Sequence, residues 1–300
     1  MAGEQAGMAA QSSAETRLST AAQPSRRALL RRITSNRPLV IGGVIFGLLV
    51  LTAIFAPLIA PYDPYAQNFE DTLQSPSLAH PFGTDIFGRD VFSRVIYGTR
   101  IDLRVGIISV IPPFIIGIVL GSLAGYFGRW TDTAVMRTVD LVQAFPFIVL
   151  IIAIVAVLGS GLNNMYIAVA IVAWVVYARL IRGEILVEKQ KEYVQAARAI
   201  GNTDWRILKQ HLLPNVITSS IIFAMSDIAL YILLAAALSY LGLGAVPPTP
   251  EWGAMIAEGQ PFMTTAWWIS ALPGLAIVIT GISLSMIGDG LGDLLRPRNR

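Results

Sequence analysis

Val105-Gly-Ile-Ile-Ser-Val-Ile-Pro-Pro-Phe-Ile-Ile-Gly-Ile-Val-Leu-Gly-Ser-Leu-Ala-Gly-Tyr-Phe127 contains no charged side chain. An α-helix rises 1.5 Å per residue, so about 20 such residues cross a hydrocarbon core roughly 30 Å thick. Gly117, Gly121 and Gly125 recur every four residues within the run and therefore stack on one helix face. Small residues there let a second backbone come close, which is how helices associate in lipid without a hydrophobic driving force. Gly43 and Gly47 repeat the pattern in an earlier apolar run. Pro112 and Pro113 interrupt the outer half of the quoted run and are expected to kink it, since neither donates a helical hydrogen bond.

Five further apolar runs accompany this one. The spans predicted are about 38–60, 103–127, 134–159, 165–187, 216–241 and 268–288. Composition agrees: 54% of the 300 residues are hydrophobic and 14% charged, against about 25% charged in an ordinary soluble domain. With no cysteine, disulfides and thiolate metal sites are excluded. His80 and His211 lie too far apart in sequence to suggest a histidine metal cluster.

The net charge of +3 does not point to nucleic acid, because the positive residues sit between spans. The N-terminal tail, the 127–137 turn, the 179–215 stretch and the C-terminal tail hold 18 of the 22 Lys and Arg. The alternate loops hold the other 4, Arg89, Arg94, Arg100 and Arg104, beside six acids. The positive-inside rule then puts both termini in the cytoplasm. The first run is too long for a signal-peptide core and follows a 37-residue tail, so it reads as an uncleaved helix. Residues 1–25, rich in Ala, Ser, Gln and Thr, read as disordered. The resulting organisation is a cytoplasmic tail 1–37, a first span with an outer segment 38–102, a core of five spans 103–290 containing a cytoplasmic loop 188–215, and a cytoplasmic tail 291–300.

Within the outer segment, Phe87, Val91 and Val95 fall four apart with Arg89, Asp90 and Arg94 off that stripe. Ile86–Gly98 is read as an amphipathic helix on the outer membrane surface or capping a partner, with a solvated loop helix as the alternative. The cytoplasmic loop is more telling. A helix-forming run from Glu192 reaches Ile200 and stops at Gly201, which tolerates the left-handed conformation that ends helices. Asn202 and Thr203 offer oxygens to cap a second helix running to about Leu213, and Pro214 ends it before the fifth span. The product is a helix–turn–helix knob whose Ala196 and Ala197 present a small-residue surface suited to another protein's groove. Tethered to spans at both ends, it is a poor DNA-binding hairpin.

Gln195-Ala-Ala197, Gly201 and Leu213-Pro214 resemble the EAA signature of the membrane subunits of bacterial ABC importers. Gln195 replaces the acid and His211 an apolar residue of that signature, variants familiar from the dipeptide, oligopeptide and nickel branch. His80-Pro-Phe-Gly-Thr-Asp85 with Gly88-Arg-Asp90 and Ser93–Gly98, and Leu238–Gly244 with Pro247–Gly253, resemble that branch closely. The likeness covers roughly 35–297 and is to the second, C-type permease. It departs at Ala235, where members often carry an acid, so no role of that acid transfers.

The resemblance implies an all-α integral membrane protein of the type I importer permease fold, six transmembrane helices with a cytoplasmic coupling helix–turn–helix, in the bacterial inner (plasma) membrane. It implies that Gln195, Ala196, Ala197, Gly201, Asp204, His211, Leu213 and Pro214 couple the chain to an ATPase. The implied partners are a second permease subunit, two ATPase subunits holding ATP and Mg, and an extracytoplasmic substrate-binding protein; lipid surrounds the spans. The implied cargo is a peptide, with nickel chelates, glutathione and some sugars as alternatives. ATP-driven closure of the ATPases would move the 192–214 knob as a lever for alternating access.

The residues support this division independently. None of Lys189, Lys191 and Lys209 follows a glycine in a phosphate-cradling loop, and no cofactor or chemistry is assigned to this chain. A competing reading is a secondary transporter or channel working without ATPases. Ion-coupled carriers place ionisable groups near mid-membrane, and the only acid well inside a span is Asp227. An intramembrane enzyme lacks a His or paired-acid constellation. Asp227 has two readings, a hydrogen bond to a neighbouring helix or a pathway group meeting a cationic or polar part of the cargo.

Overall fold

The structure, a computed structural model, describes residues 34–295. The disordered-tail reading at 1–25 and the terminal arginines Arg296, Arg298 and Arg300 lie outside the described residues. Helix α1 spans Arg37–Ile54, its first turn capped by the Asn36 side chain, which accepts from Leu39 N–H. A one-turn helix, Ala56–Ile59, follows. Helix α2 spans Val91–Phe127, α3 Arg129–Gln143, α4 Phe147–Leu158, α5 Leu162–Glu188 and α6 Glu192–Ala199. Helix α7 runs Asp204–Tyr240 with a π segment at Ile207–Leu212. Helices α8 (Trp252–Gly259) and α9 (Trp268–Leu295) complete the chain. Among the described residues the sole β feature is an isolated bridge between Thr84 and Asp90.

Five helices, α1, α2, α5, α7 and α9, are long and apolar enough to cross a membrane. The third expected span, 134–159, is not one helix. It is the pair α3 and α4, bent by 86° at the break around Pro146. Pro146 has no N–H and biases the residue before it away from helical backbone, so helix α3 stops and α4 starts afresh.

The outer amphipathic helix expected over Ile86–Gly98 is also revised. Asp90 accepts from Ser93 N–H as an N-cap, and the helix that starts at Val91 is α2 itself, 37 residues or about 55 Å long. Val91 and Val95 are buried rather than facing lipid headgroups. Pro112 and Pro113 both lie inside this helix.

Close backbone approaches build the bundle. A Cβ on Gly121 would stand 2.5 Å from Ala178 O, one on Gly117 2.7 Å from Trp174 O, and one on Gly125 3.0 Å from Arg182 O. The stripe thus lies against α5 along its length. Gly106 does the same for α2 against α7, where a Cβ would meet Ile228 Cγ2 at 2.8 Å. Among the described residues of this chain nothing lies within 4 Å of a Cβ built on Gly43 or Gly47, so that pair makes no close approach within the chain. Gly42 takes that role instead, 2.7 Å from Ser283 O on α9, and Gly290 approaches Leu39 at 2.6 Å. The face one residue away from the expected one carries the packing.

Candidate functional site

The 192–214 hairpin is built from local signals. Gly201 has φ +84°, and its N–H bonds Arg198 O while Asn202 N–H reaches back to Ala197 O. These two bonds form a Schellman closure, which satisfies the last carbonyls of α6. Thr203 takes the N-cap position of α7 with extended backbone, but its side chain makes no capping bond. Pro214 does not end the second helix. Immediately before it Leu213 N–H bonds Leu208 O, five residues back, and the wider register accommodates a residue without an N–H. One helix therefore runs from the hairpin turn to Tyr240, 37 residues or about 55 Å.

Of the two alanines expected on the surface, Ala196 is exposed and Ala197 is buried. Ala197 and Val194 pack inward on Ile207, Leu208, Leu212 and Val216, joining Tyr126 of α2 and Ile181 and Ile185 of α5. Gln195, Gly201, Asp204 and Pro214 are exposed, while His211 and Leu213 are half-buried. The outward face also carries Ile200, 80% exposed, and Trp205, 64% exposed.

Several anchors lay beyond sequence reasoning. Tyr126 O–H donates to Asp204 Oδ1 at 2.6 Å, and Lys189 Nζ donates to Gly125 O at 2.9 Å. The Phe127 and Trp205 rings meet edge to face, 5.9 Å between centroids. Tyr193 O–H donates to Glu188 Oε1 at 2.8 Å and accepts from Asn215 Nδ2 at 3.1 Å. Burial, then the Glu188 carboxylate, raise the Tyr193 hydroxyl above its ordinary value. Lys191, hydrogen-bonded to the same carboxylate, is also held above its usual value. The only advance signal was position: Tyr126 and Lys189 close the two helices that the glycine stripe joins.

Asp227 is 6% exposed. Tyr177 O–H donates to its Oδ2 at 2.6 Å, and Tyr231 O–H reaches the same oxygen at 3.4 Å. That geometry favours the hydrogen-bonding reading between α5 and α7.

On the opposite side the two outer stretches quoted above come together. Arg89 Nε bonds Asp85 Oδ2 at 2.6 Å and its Nη2 bonds Glu258 Oε2 at 2.6 Å. Arg94 Nη1 pairs with the same Asp85 oxygen and with Glu258 Oε2 at 2.9 Å. Two guanidinium groups and two carboxylates leave the cluster neutral, which is what makes burial at 1% exposure tolerable for the arginines. Trp252, fully buried, donates from Nε1 to Val95 O at 3.1 Å and from its backbone N–H to Asp102 Oδ2 at 3.2 Å. The cluster and Trp252 fasten α8 to the N-terminal end of α2.

Residues 117–300 match the family described as binding-protein-dependent transport system inner membrane component. Residues 24–76 match the N-terminal TM domain of oligopeptide transport permease C. The glutathione transport system permease protein GsiD of Pectobacterium atrosepticum is 44% identical over 275 residues, covering 91% of each chain. The dipeptide transport system permease protein DppC of Alkalihalophilus pseudofirmus is 42% identical over 279 residues, 93% of this chain and 91% of its own. A solved chain of the MetNI methionine ABC transporter, in an inward-facing conformation, aligns with a TM-score of 0.55 at 19% identity. The alignment covers 68% of this chain and 97% of that one, a likeness of fold.

Proposed function

This chain belongs to the family of binding-protein-dependent transport system inner membrane components and is a permease subunit of an ABC importer; on that premise we propose that it carries short peptides, glutathione among them, by alternating access. A second permease completes the path, and a substrate-binding protein delivers cargo at the face closed by the Arg89–Glu258 cluster. Two ATPase subunits, holding ATP and Mg, dock on the 192–214 hairpin. Both termini lie on the ATPase side, as the charge asymmetry between loops argues.

The observation that carries this reading is the continuity of the hairpin with α7. Its inward face is fixed on α2 and α5 by Ala197, Leu208 and Leu212, and its outward face offers Ala196, Ile200 and Trp205. Exposed aromatic and aliphatic side chains on a rigid element suit a protein partner. A push on that face is transmitted along one helix, through the π segment at Ile207–Leu212, toward the outer side. The peptide cargo rests on the likeness to the dipeptide and glutathione permeases. A carrier working without ATPases would leave this patch unused, and its expected mid-membrane acid, Asp227, is occupied by two tyrosine hydroxyls.

Affinity purification of the tagged chain in mild detergent tests the reading. The second permease and the ATPase subunits should co-purify, and an Ile200→Asp/Trp205→Asp chain should keep the permease while losing the ATPases. A wild-type chain that purifies alone contradicts it.

A further inference from the structure

Arg89, Arg94, Arg100 and Arg104 lie on the side of the fold away from the 192–214 hairpin, and the buried cluster accounts for the first two. Arg89 and Arg94 are neutralised there by Asp85 and Glu258. Arg100 and Arg104 are exposed, and among the described residues neither guanidinium has an ion-pair or hydrogen-bond partner. The two stand four apart on α2 and so share one face of it. Asp102, between them in sequence, points the other way: it is fully buried and accepts from Trp252 N–H.

Helix length sets the depth of this pair. At the hairpin end of α2, Gly125 O takes the Lys189 ammonium, which marks one limit of the hydrocarbon. From Gly125 to Arg104 is about 32 Å of helix, and to Arg100 about 38 Å. A hydrocarbon core is roughly 30 Å thick. Arg104 therefore stands at the opposite boundary, and Arg100 one turn beyond it, at headgroup level.

A groove of about 350 Å³ opens between α1 and α2 at this level, and both arginines line it. Its other walls are apolar, with Val50 and Ala53 of α1 facing Leu103 and Ile107 of α2. Toward the hairpin side the two helices stay apolar and exposed, through Val44 and Leu48 on α1 and Ile111 and Ile115 on α2. Such faces suit acyl chains. A single arginine at a boundary reaches water by snorkelling. Two on one face, above a hydrocarbon-lined groove, present two uncompensated charges with apolar contact beneath them. The planar guanidinium fork takes phosphate oxygens in pairs. A zwitterionic headgroup brings its own cation to the same place, so an anionic one complements the charge better.

We propose that Arg100, Arg104 and the α1–α2 groove form a binding site for one anionic phospholipid of the leaflet remote from the hairpin. Its phosphate sits on the two guanidinium groups, and an acyl chain lies between Val50, Ala53 and Ile107. The bound lipid bridges α1 and α2. The site is built by this chain alone and stands whatever the cargo is.

The chain has no cysteine, so one introduced thiol can carry a photoreactive benzophenone. Ile54→Cys places it at the edge of the groove, and Leu48→Cys, on the exposed apolar face of α1, serves as the bulk-lipid control. The complete complex is reconstituted in phosphatidylcholine vesicles holding phosphatidylglycerol at about one lipid in ten, then irradiated, and the lipid adducts are identified by mass. Each arginine near a membrane surface is worth about 5-fold in anionic-lipid binding, so adducts at Ile54→Cys should exceed the bulk phosphatidylglycerol ratio about 25-fold. The enrichment should fall to about 5-fold with either Arg100→Gln or Arg104→Gln, and vanish with both. Leu48→Cys should report the bulk ratio throughout. Unenriched adducts at Ile54→Cys, or enrichment that survives the double substitution, overturn the proposal. Adducts with a protein subunit overturn it too, since the groove would then be an interface. So does enrichment abolished by inorganic phosphate at an ionic strength matched with chloride, which would give the arginines to a free anion.

Discussion

Gly201→Val isolates the hairpin turn from everything around it. Gly201 has φ +84°, and a Cβ built there has nothing within 4 Å, so a substitution meets backbone strain and no clash. An L-residue with a side chain gives up roughly 1–2 kcal/mol in left-handed conformation, and a β-branched one is the worst suited. One or two kcal/mol changes a two-state ratio about 5- to 30-fold, here between the Schellman-closed turn and an opened one. The strain acts on the turn alone, since α6 and α7 retain their buried contacts through Val194 and Leu208. The assay is cargo-stimulated ATP hydrolysis by the purified complex in proteoliposomes, with subunit stoichiometry as the control for assembly. Stimulation should fall in the order Gly, Asn, Ala, Val, because Asn tolerates the left-handed region better than Ala. All spans should still insert. Wild-type stimulation by Gly201→Val refutes the claim that this turn shapes the ATPase contact, and equal damage from Asn and Val refutes the φ argument.

Three further outcomes follow from the packing. Gly121→Val puts a Cβ 2.5 Å from Ala178 O, where ordinary contact begins at 3.4 Å; overpacking of about 1–3 kcal/mol should lower the thermal midpoint of the detergent-solubilised complex, whereas Gly43→Ala should leave it unchanged. Asp227→Asn keeps an oxygen to accept from Tyr177 and should preserve uptake equally for free and amino-blocked peptides. Asp227→Leu strands the Tyr177 and Tyr231 hydroxyls, at about 1–3 kcal/mol each, and should impair assembly; selective loss of free-amine cargo in Asp227→Asn would instead put the carboxylate in the path. A thiol at Ser160→Cys should react with an impermeant reagent from outside and one at Thr203→Cys should not, and the reverse pattern would invert the orientation.

The helices that cross the membrane were legible because hydrocarbon demands long uncharged runs, a property of each segment by itself. The start of α2 was not, because Arg94 and Asp102 interrupt its apolar pattern. The fold neutralises Arg94 with Glu258, 164 positions away, and sequence periodicity has no access to such a pairing. The Gly201 turn could be read locally, since its bonds span only five residues. The inward direction of Ala197 follows from its i, i+3 relation to Val194, a signal the sequence contains and the small-residue reading overlooked. Asp227 stood out by its depth, but Tyr177, its hydrogen-bond donor, sits 50 positions earlier on another helix. The break at Pro146 had a local warning in the proline, masked by the strongly apolar residues from Phe147 onward. The Gly43–Gly47 error has a different origin: an i, i+4 glycine pair defines a face, and only the neighbouring helix decides whether that face or the next is used.

If ATP hydrolysis by ATPase subunits docked on the 192–214 hairpin drives cargo through this chain, uptake into proteoliposomes holding the complete complex tests that coupling most directly. Peptide delivered by its binding protein on one side should accumulate only when ATP is present on the hairpin side, and accumulation should disappear with the Ile200→Asp/Trp205→Asp hairpin. Accumulation driven by an ion gradient without ATP, or undiminished by the altered hairpin, would contradict the account.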